Sequence, residues 1–128
     1  MREIKFRAWV GDRDIMVNVS QYYLHNNGFS ISYLDNTGFD VGMMNSKSHS
    51  ISIMQYTGLK DKNGVEIYEG DIIKTKLDEK DYFDYVEWDN FVSNVARFCF
   101  ANTFKGFDVK NDEVVGNIYE NPELLKGE

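Results

Sequence analysis

The residues of this chain with the greatest potential for chemistry are acidic and lie close together in the sequence. They are Asp78, Glu79, Asp81, Asp84, Glu87 and Asp89. Pairs of carboxylates serve as general acid and base in hydrolases, and they also bind divalent cations. Lys80 lies among these acids, in a segment that is predicted to be a loop and has the mixed charge typical of a solvated surface. A hydrolase is therefore the third of three hypotheses for the function, and it predicts binding of a divalent metal.

The other groups that act as nucleophiles or metal ligands in proteins are isolated here. Cys99 is the single cysteine, and its alternating segment VARFCF predicts a buried structural thiol. His25 and His49 have no cysteines or adjacent acids with which to form a zinc site. Setting Gly64 as the sixth residue of a calcium loop places Leu59 at the first ligand position, which excludes that loop. We expect no catalytic residue, no cofactor and no metal site, and hence no enzyme.

Composition and charge indicate a folded protein with an acidic surface. Hydrophobic residues make up 42% of the 128 positions, which is enough for one domain, or two small ones, with a core. The net charge is −7, and residues 60–89 contribute −5 of it, from five basic and ten acidic groups. Nucleic-acid binding relies on neutralising phosphates with basic side chains, so this balance does not favour it. The start, MREIKFRAWV, does not resemble a signal peptide, and no apolar run suits a membrane helix, so we expect a cytoplasmic location.

The N-terminal residues predict a β-hairpin. Apolar and polar residues alternate from Ile4 to Trp9, which is the period of a strand with one buried face. Residues 11–14 predict a turn, and residues 15–19 the returning strand. Lys5, Arg7 and Trp9 share the outer face and form the candidate interaction surface, either for a protein interface or for a nucleic-acid base. Residues 20–50 show a weaker pattern, with one strand expected over 29–34, and are interpreted as variable linking structure.

The middle of the chain, QYTGLKDKNGVEIYEGDII, is rich in turn signals. Asn63-Gly64 predicts a type I′ hairpin turn, Gly70 a tight bend before Asp71, and Gly58 a bulge or strand end. Short strands on either side, and further strands up to residue 118, predict an all-β barrel or sandwich. At the end of the chain, NPELL predicts a single helical turn with an asparagine cap and proline at its first position.

Three blocks of sequence resemble the YopX family of bacteriophage and prophage proteins. They are MREIKFRAW, MQYTGLKDKNGVEIYEGDII and VVGNIYENPELL, which together cover about a third of the chain. The family usually has an acid after the first tryptophan, where this chain has Val10, and residues 20–50 match no part of its pattern. The resemblance implies an N-terminal β segment over 1–50 and a small SH3-like barrel over 51–128. It also implies a homo-oligomer in the cytoplasm of a bacterial host, with no catalytic residues to transfer.

The leading functional hypothesis is a non-enzymatic accessory protein that associates with itself and binds an unidentified phage or host protein. Exposed aromatic residues of the N-terminal hairpin would supply the contact. The alternative is a regulator that binds nucleic acid or imitates DNA, and the acidic segment 60–89 favours imitation over binding.

Overall fold

The computed structural model describes residues 4–35, 37–89, 97–100 and 111–126, and in these ranges the protein is mainly β, as expected. The strands are β1 Phe6–Val10, β2 Ile15–His25, β3 Gly28–Leu34, β4 Asp40–Asn45, β5 Ile51–Lys60, β6 Glu66–Tyr68, β7 Asp71–Leu77, β8 Lys80–Asp89, β9 Arg97–Phe100 and β10 Glu113–Asn117. A 3₁₀ turn, Pro122–Leu125, follows β10 and confirms the predicted helical turn. The predicted asparagine cap is wrong, because the side chain of Asn121 makes no capping bond and its Oδ1 accepts from the N–H of Asn117 instead. None of the described helical segments is long and apolar enough to cross a membrane.

The chain divides into two compact units, one covering Ile4–Gln55 and the other continuing from Tyr56. In the N-terminal unit the strands form an antiparallel sheet in the order β4-β3-β2-β1-β5. The predicted hairpin of β1 and β2 is present, with Ala8 opposite Val17 and Val10 opposite Ile15. Its apolar face forms the core of this unit, in which Ala8 and Val10 are fully buried.

Residues 20–50 are not linking structure, which corrects the interpretation made from the sequence. They complete β2 and supply β3 and β4, so they form much of the N-terminal sheet. The register of β2 against β3 shifts between Val19 and Gln21, which is a β-bulge. Because a bulge reverses the alternation of side chains, the period-two pattern ends at this point although the strand continues.

The C-terminal unit contains a four-stranded antiparallel sheet in the order β10-β7-β8-β9, and β6 pairs with the end of β5. Ile67, Ile73 and Val86 form its buried apolar cluster, with Val114 packed against it. The described strands of this unit form an open sheet, so closure into an SH3-like barrel stays a prediction. Residues 104–109, part of the segment up to residue 118 for which further strands were expected, lie outside the described residues.

The connection between β7 and β8 is a two-residue hairpin turn, where the sequence predicted a charged loop. Leu77 pairs with Lys80, and the two residues between them, Asp78 and Glu79, have φ values of 53° and 68°. Positive φ at both central positions is the requirement of a type I′ turn, which glycine and asparagine meet most readily. The left-handed conformation costs an ordinary side chain about 1–2 kcal/mol, so this turn is strained.

Replacing Asp78-Glu79 with Asn-Gly is therefore expected to raise the free energy of unfolding by about 1–2 kcal/mol. Urea unfolding followed by circular dichroism measures the change. Glu79→Ala serves as the control, because it removes the charge and leaves a Cβ in the left-handed conformation. Equal stability of the Asn-Gly variant and the wild type would contradict this explanation of the turn.

Candidate interaction surface

One face of the N-terminal sheet is apolar across all its strands. Residues that pair directly on antiparallel strands point to the same side, and Ala8 pairs with both Val17 and Ile53. The same face continues through Ile31 of β3 and Met44 of β4, which pair with each other and are buried. The face therefore combines a buried centre with half-buried and exposed margins.

A pocket of about 290 Å³ opens on this face and is lined by Phe6, Tyr22 and Ile53. The ring of Tyr22 stacks on that of Phe29, with 5.2 Å between the centroids and 18° between the planes. Tyr22 is nevertheless 49% exposed, so its aromatic surface is available to a partner. The bulge between Val19 and Gln21 places Tyr22 on the same face as Phe6. Because the bulge follows from no local sequence signal, the sequence did not identify Tyr22.

Exposed large apolar side chains are more numerous on the N-terminal unit than among the described residues of the C-terminal unit, and they lie on both faces of its sheet. Single exposed hydrophobic residues are normal on a protein surface, whereas groups of them mark interaction sites. The exposed large hydrophobic residues of this unit are Ile4, Ile15, Tyr22, Tyr23, Leu24, Phe39, Val41 and Met43. Among the described residues of the C-terminal unit they are Leu59, Val65, Tyr82 and Phe83.

The three residues expected to form an interaction surface lie on the opposite face of β1. Arg7 pairs with Asn18 and Trp9 with Met16, so their side chains point away from the pocket. Lys5, Arg7 and Trp9 are all half-buried, and each takes part in interactions within the chain. The structure therefore presents less of these side chains to a partner than the sequence suggested.

The turn after β5 is organised by Asp61, which is 5% exposed. Its Oδ1 accepts hydrogen bonds from the backbone N–H groups of Asn63 (2.8 Å) and Val65 (2.9 Å), and its Oδ2 accepts one from Val114 N–H at 2.8 Å. Burial alone would raise the pKa of Asp61, but the three backbone donors outweigh it and hold the pKa below the usual value. This carboxylate therefore acts as a charged anchor for two parts of the backbone.

The glycines of this region occupy left-handed backbone positions. Gly64 has φ of 83°, whereas Asn63 does not have positive φ, so the turn is not the type I′ turn expected at Asn63-Gly64. Gly64 N–H donates to Asp61 O (3.0 Å) and Asp61 N–H to Val65 O (2.8 Å), which is the pattern of a type I turn closed by a glycine bulge.

The other residues predicted to make turns also lie at bends of the backbone. Gly58 has φ of 89° and lies between Tyr56 and Lys60, where the register of β5 against β6 shifts. Gly70 has φ of 83°, and the neighbouring Asp71 accepts a hydrogen bond from Tyr68 N–H through Oδ2 at 2.8 Å.

The acidic residues of the hydrolase hypothesis differ in how far they are buried. Asp84 is 2% exposed and accepts a hydrogen bond from Tyr85 N–H at 2.8 Å, whereas Asp78, Glu79 and Asp81 are exposed at the β7–β8 turn. The side chains of Asp89 and Cys99 lie outside the described part of the structure. Within the described ranges, no three His, Cys, Asp or Glu side chains are grouped as a metal site requires.

Both histidines lie in the N-terminal unit with hydrogen-bonding partners. His25 Nε2 lies 2.8 Å from Ser30 Oγ, beside a small pocket of about 140 Å³. His49 Nδ1 lies 2.9 Å from Asp12 Oδ2, and this contact, together with the N–H of Ser50, lowers the pKa of Asp12. The two rings therefore serve separate local contacts, and the surface best suited to function is the apolar one around Tyr22.

Comparison with known proteins agrees with this fold. The model of the family described as YopX protein matches residues 5–126. The crystal structure of protein EF1440 from Enterococcus faecalis is similar, with 25% identity, a TM-score of 0.64 and coverage of 98% of this chain and 99% of that one. The crystal structure of protein yopX from Bacillus subtilis has 24% identity, a TM-score of 0.53 and the same coverage, and it supports the fold alone. No match was found among curated protein sequences.

Proposed function

This chain belongs to the YopX protein family, and on that premise we propose that it is a non-enzymatic accessory protein of a bacteriophage or prophage. It acts in the cytoplasm of the bacterial host as a protein-interaction module. It associates with itself through the N-terminal unit, and the same surface binds a phage or host protein.

The observation that carries this proposal is the concentration of exposed apolar side chains on the N-terminal unit. Tyr22 offers an aromatic ring beside an open pocket, and Leu24, on the same strand, is 78% exposed. Aromatic and large aliphatic side chains supply most of the free energy of protein association when a partner removes them from water. A surface that contacts only water gains no stability from so many exposed aromatic and aliphatic side chains.

The distribution of the acids supports an interaction module over the imitation of DNA. A protein that imitates DNA needs its carboxylates at the surface, in place of phosphates. Asp61, Asp71 and Asp84 belong to the acidic segment 60–89, yet each is at most 5% exposed and accepts a backbone hydrogen bond. A substantial part of the negative charge of this segment is thus committed to holding the fold.

Sedimentation velocity of the full chain over a range of concentrations tests the proposal. We expect the wild type to associate, and the double variant Tyr22→Ser/Leu24→Ser to raise the dissociation constant by about 10- to 100-fold, because two buried apolar contacts are lost. Tyr82→Ser is the matched control, since Tyr82 is an exposed aromatic residue of the C-terminal unit and is expected to leave association unchanged. A wild type that stays monomeric at every concentration would refute self-association.

A further inference from the structure

Strand β4 lies at one end of the strand order of the N-terminal sheet. Its neighbour among the described strands is β3, with Ile31 opposite Met44 and Ser32 opposite Met43. A strand at the edge of a sheet presents a row of backbone N–H and C=O groups on its outer side, and this row is a template for another strand.

The sequence of β4 lacks the features that commonly prevent edges from pairing. Natural edge strands are protected by lysine, proline or inward-pointing charges. The segment DVGMMN contains neither lysine nor proline, and its single charge, Asp40, is at the first position. A shift in the register against β3 affects the start of the strand and leaves Gly42–Asn45 in regular pairing. Met43, in this regular part, is 60% exposed.

We propose that β4 pairs antiparallel with β4 of a second copy of this chain, which joins two N-terminal sheets into one continuous sheet. This inference rests on the self-association proposed above and adds to it a contact between copies at the sheet edge, separate from the surface around Tyr22. Antiparallel pairing of a strand with itself is two-fold symmetric, so each copy supplies and receives the same hydrogen bonds.

Charge and side-chain pairing favour a second copy as the occupant. A two-fold axis at Met43 brings the exposed Met43 side chains of the two copies together on one face of the sheet. It also places the two Asp40 carboxylates at opposite ends of the paired strands, so like charges do not meet. Asp40 is itself held by Ser20 Oγ, which donates to its Oδ2 at 2.9 Å and keeps the charge toward β2.

Substitution at Met43 tests this geometry in the full chain. Met43→Lys places two positive charges together at the two-fold axis and is expected to raise the dissociation constant of the dimer by at least about tenfold. Val65→Lys adds the same charge at an exposed apolar position of the C-terminal unit and is expected to have no effect. If Met43→Lys associates like the wild type while Tyr22→Ser/Leu24→Ser dissociates, the pairing of β4 is refuted and self-association stands.

A cross-linking variant provides a second test that does not depend on weakening the complex. Opposite residues of paired antiparallel strands have Cα atoms about 4.5–5.5 Å apart, within the range that a disulfide spans. Met43→Cys in a Cys99→Ser background is expected to form a covalent dimer on mild oxidation. Val65→Cys in the same background is expected to form little. Equal cross-linking of the two variants, or binding of a different protein to β4 in place of a second copy, would overturn the proposal.

Discussion

Replacing Asp61 with alanine is expected to lower the free energy of unfolding by about 3 kcal/mol or more, because three backbone N–H groups lose a charged acceptor. Two of these donors, Asn63 and Val65, belong to the turn itself, and the third, Val114, belongs to β10. The site is buried, so water cannot fully replace the carboxylate. Chemical unfolding monitored by circular dichroism measures the loss.

The chain contains a matched control for this experiment. Asp35 begins a turn of the same kind, in which its Oδ1 accepts from the N–H groups of Thr37 (2.8 Å) and Phe39 (3.0 Å), and Gly38 has φ of 91°. Asp35 is exposed, however, and its bonds are to nearby residues. Asp35→Ala is therefore expected to cost clearly less stability than Asp61→Ala. Equal losses at positions 35 and 61 would show that burial and the bond to Val114 contribute little.

The lowered pKa of Asp61 also gives a prediction for acid solution. A carboxyl group whose pKa is lower in the folded state stabilises the fold above its unfolded value of 3.8, and this contribution is lost as the pH falls through the folded pKa. The free energy of unfolding of the wild type is thus expected to decrease below about pH 4. In Asp61→Asn this part of the decrease is expected to disappear, because the side chain no longer ionises.

Gly116→Ala is expected to have the second largest effect, a loss of about 2–3 kcal/mol from steric overlap. A Cβ at this position would lie 2.5 Å from Asn121 Oδ1, 2.7 Å from its Cγ and 2.9 Å from its Cβ. The flexible end of the asparagine could move aside, but its Cβ is fixed by the backbone that enters the 3₁₀ turn. Thermal and urea unfolding both report the change.

Two further variants separate this overlap from a general intolerance of substitution. Adding Asn121→Gly to Gly116→Ala removes all three crowded atoms, so the double variant is expected to be more stable than the sum of the single changes predicts. Gly11→Ala is the steric control, since the nearest atom to its new Cβ would be Ser50 Oγ at 3.4 Å. A strictly additive result for Gly116 and Asn121 would rule out the contact as the cause.

The sequence predicted those elements whose signals are local. Strict alternation over residues 4–9 identified β1, and Asn-Pro followed by an acid identified the final turn. Within residues 20–50 it identified β3, where a strand was expected over 29–34, but it missed β4 and the second half of β2, whose alternation the bulge after Val19 interrupts. It also misplaced the type I′ turn, since Asp78-Glu79 adopts that conformation without the expected glycine or asparagine. Non-local pairing overrides local preference at such positions.

The candidate surface was predictable only in part. The sequence predicted a contact through exposed aromatic residues of the N-terminal hairpin and selected the face of Lys5, Arg7 and Trp9, whereas the pocket and the ring of Tyr22 lie on the opposite face. The pocket around Tyr22 depends on the order of the strands in the sheet, and the spacing of residues along the chain does not reveal that order. The role of Asp61 was likewise hidden, because an acid between two lysines is typical of a solvated turn.

The hydrogen bonds of the Asp61 carboxylate are expected to form at two different stages of folding. Its Oδ1 bonds close a loop of a few residues, which requires little loss of chain entropy, so they can form on the timescale of a hairpin. Its Oδ2 bond reaches Val114, 53 residues away, and must wait until the intervening strands are in place. A change that affects the first pair of bonds should therefore slow folding. A change confined to the Oδ2 bond with Val114 should speed unfolding. The same carboxylate therefore influences both the folding rate and the unfolding rate.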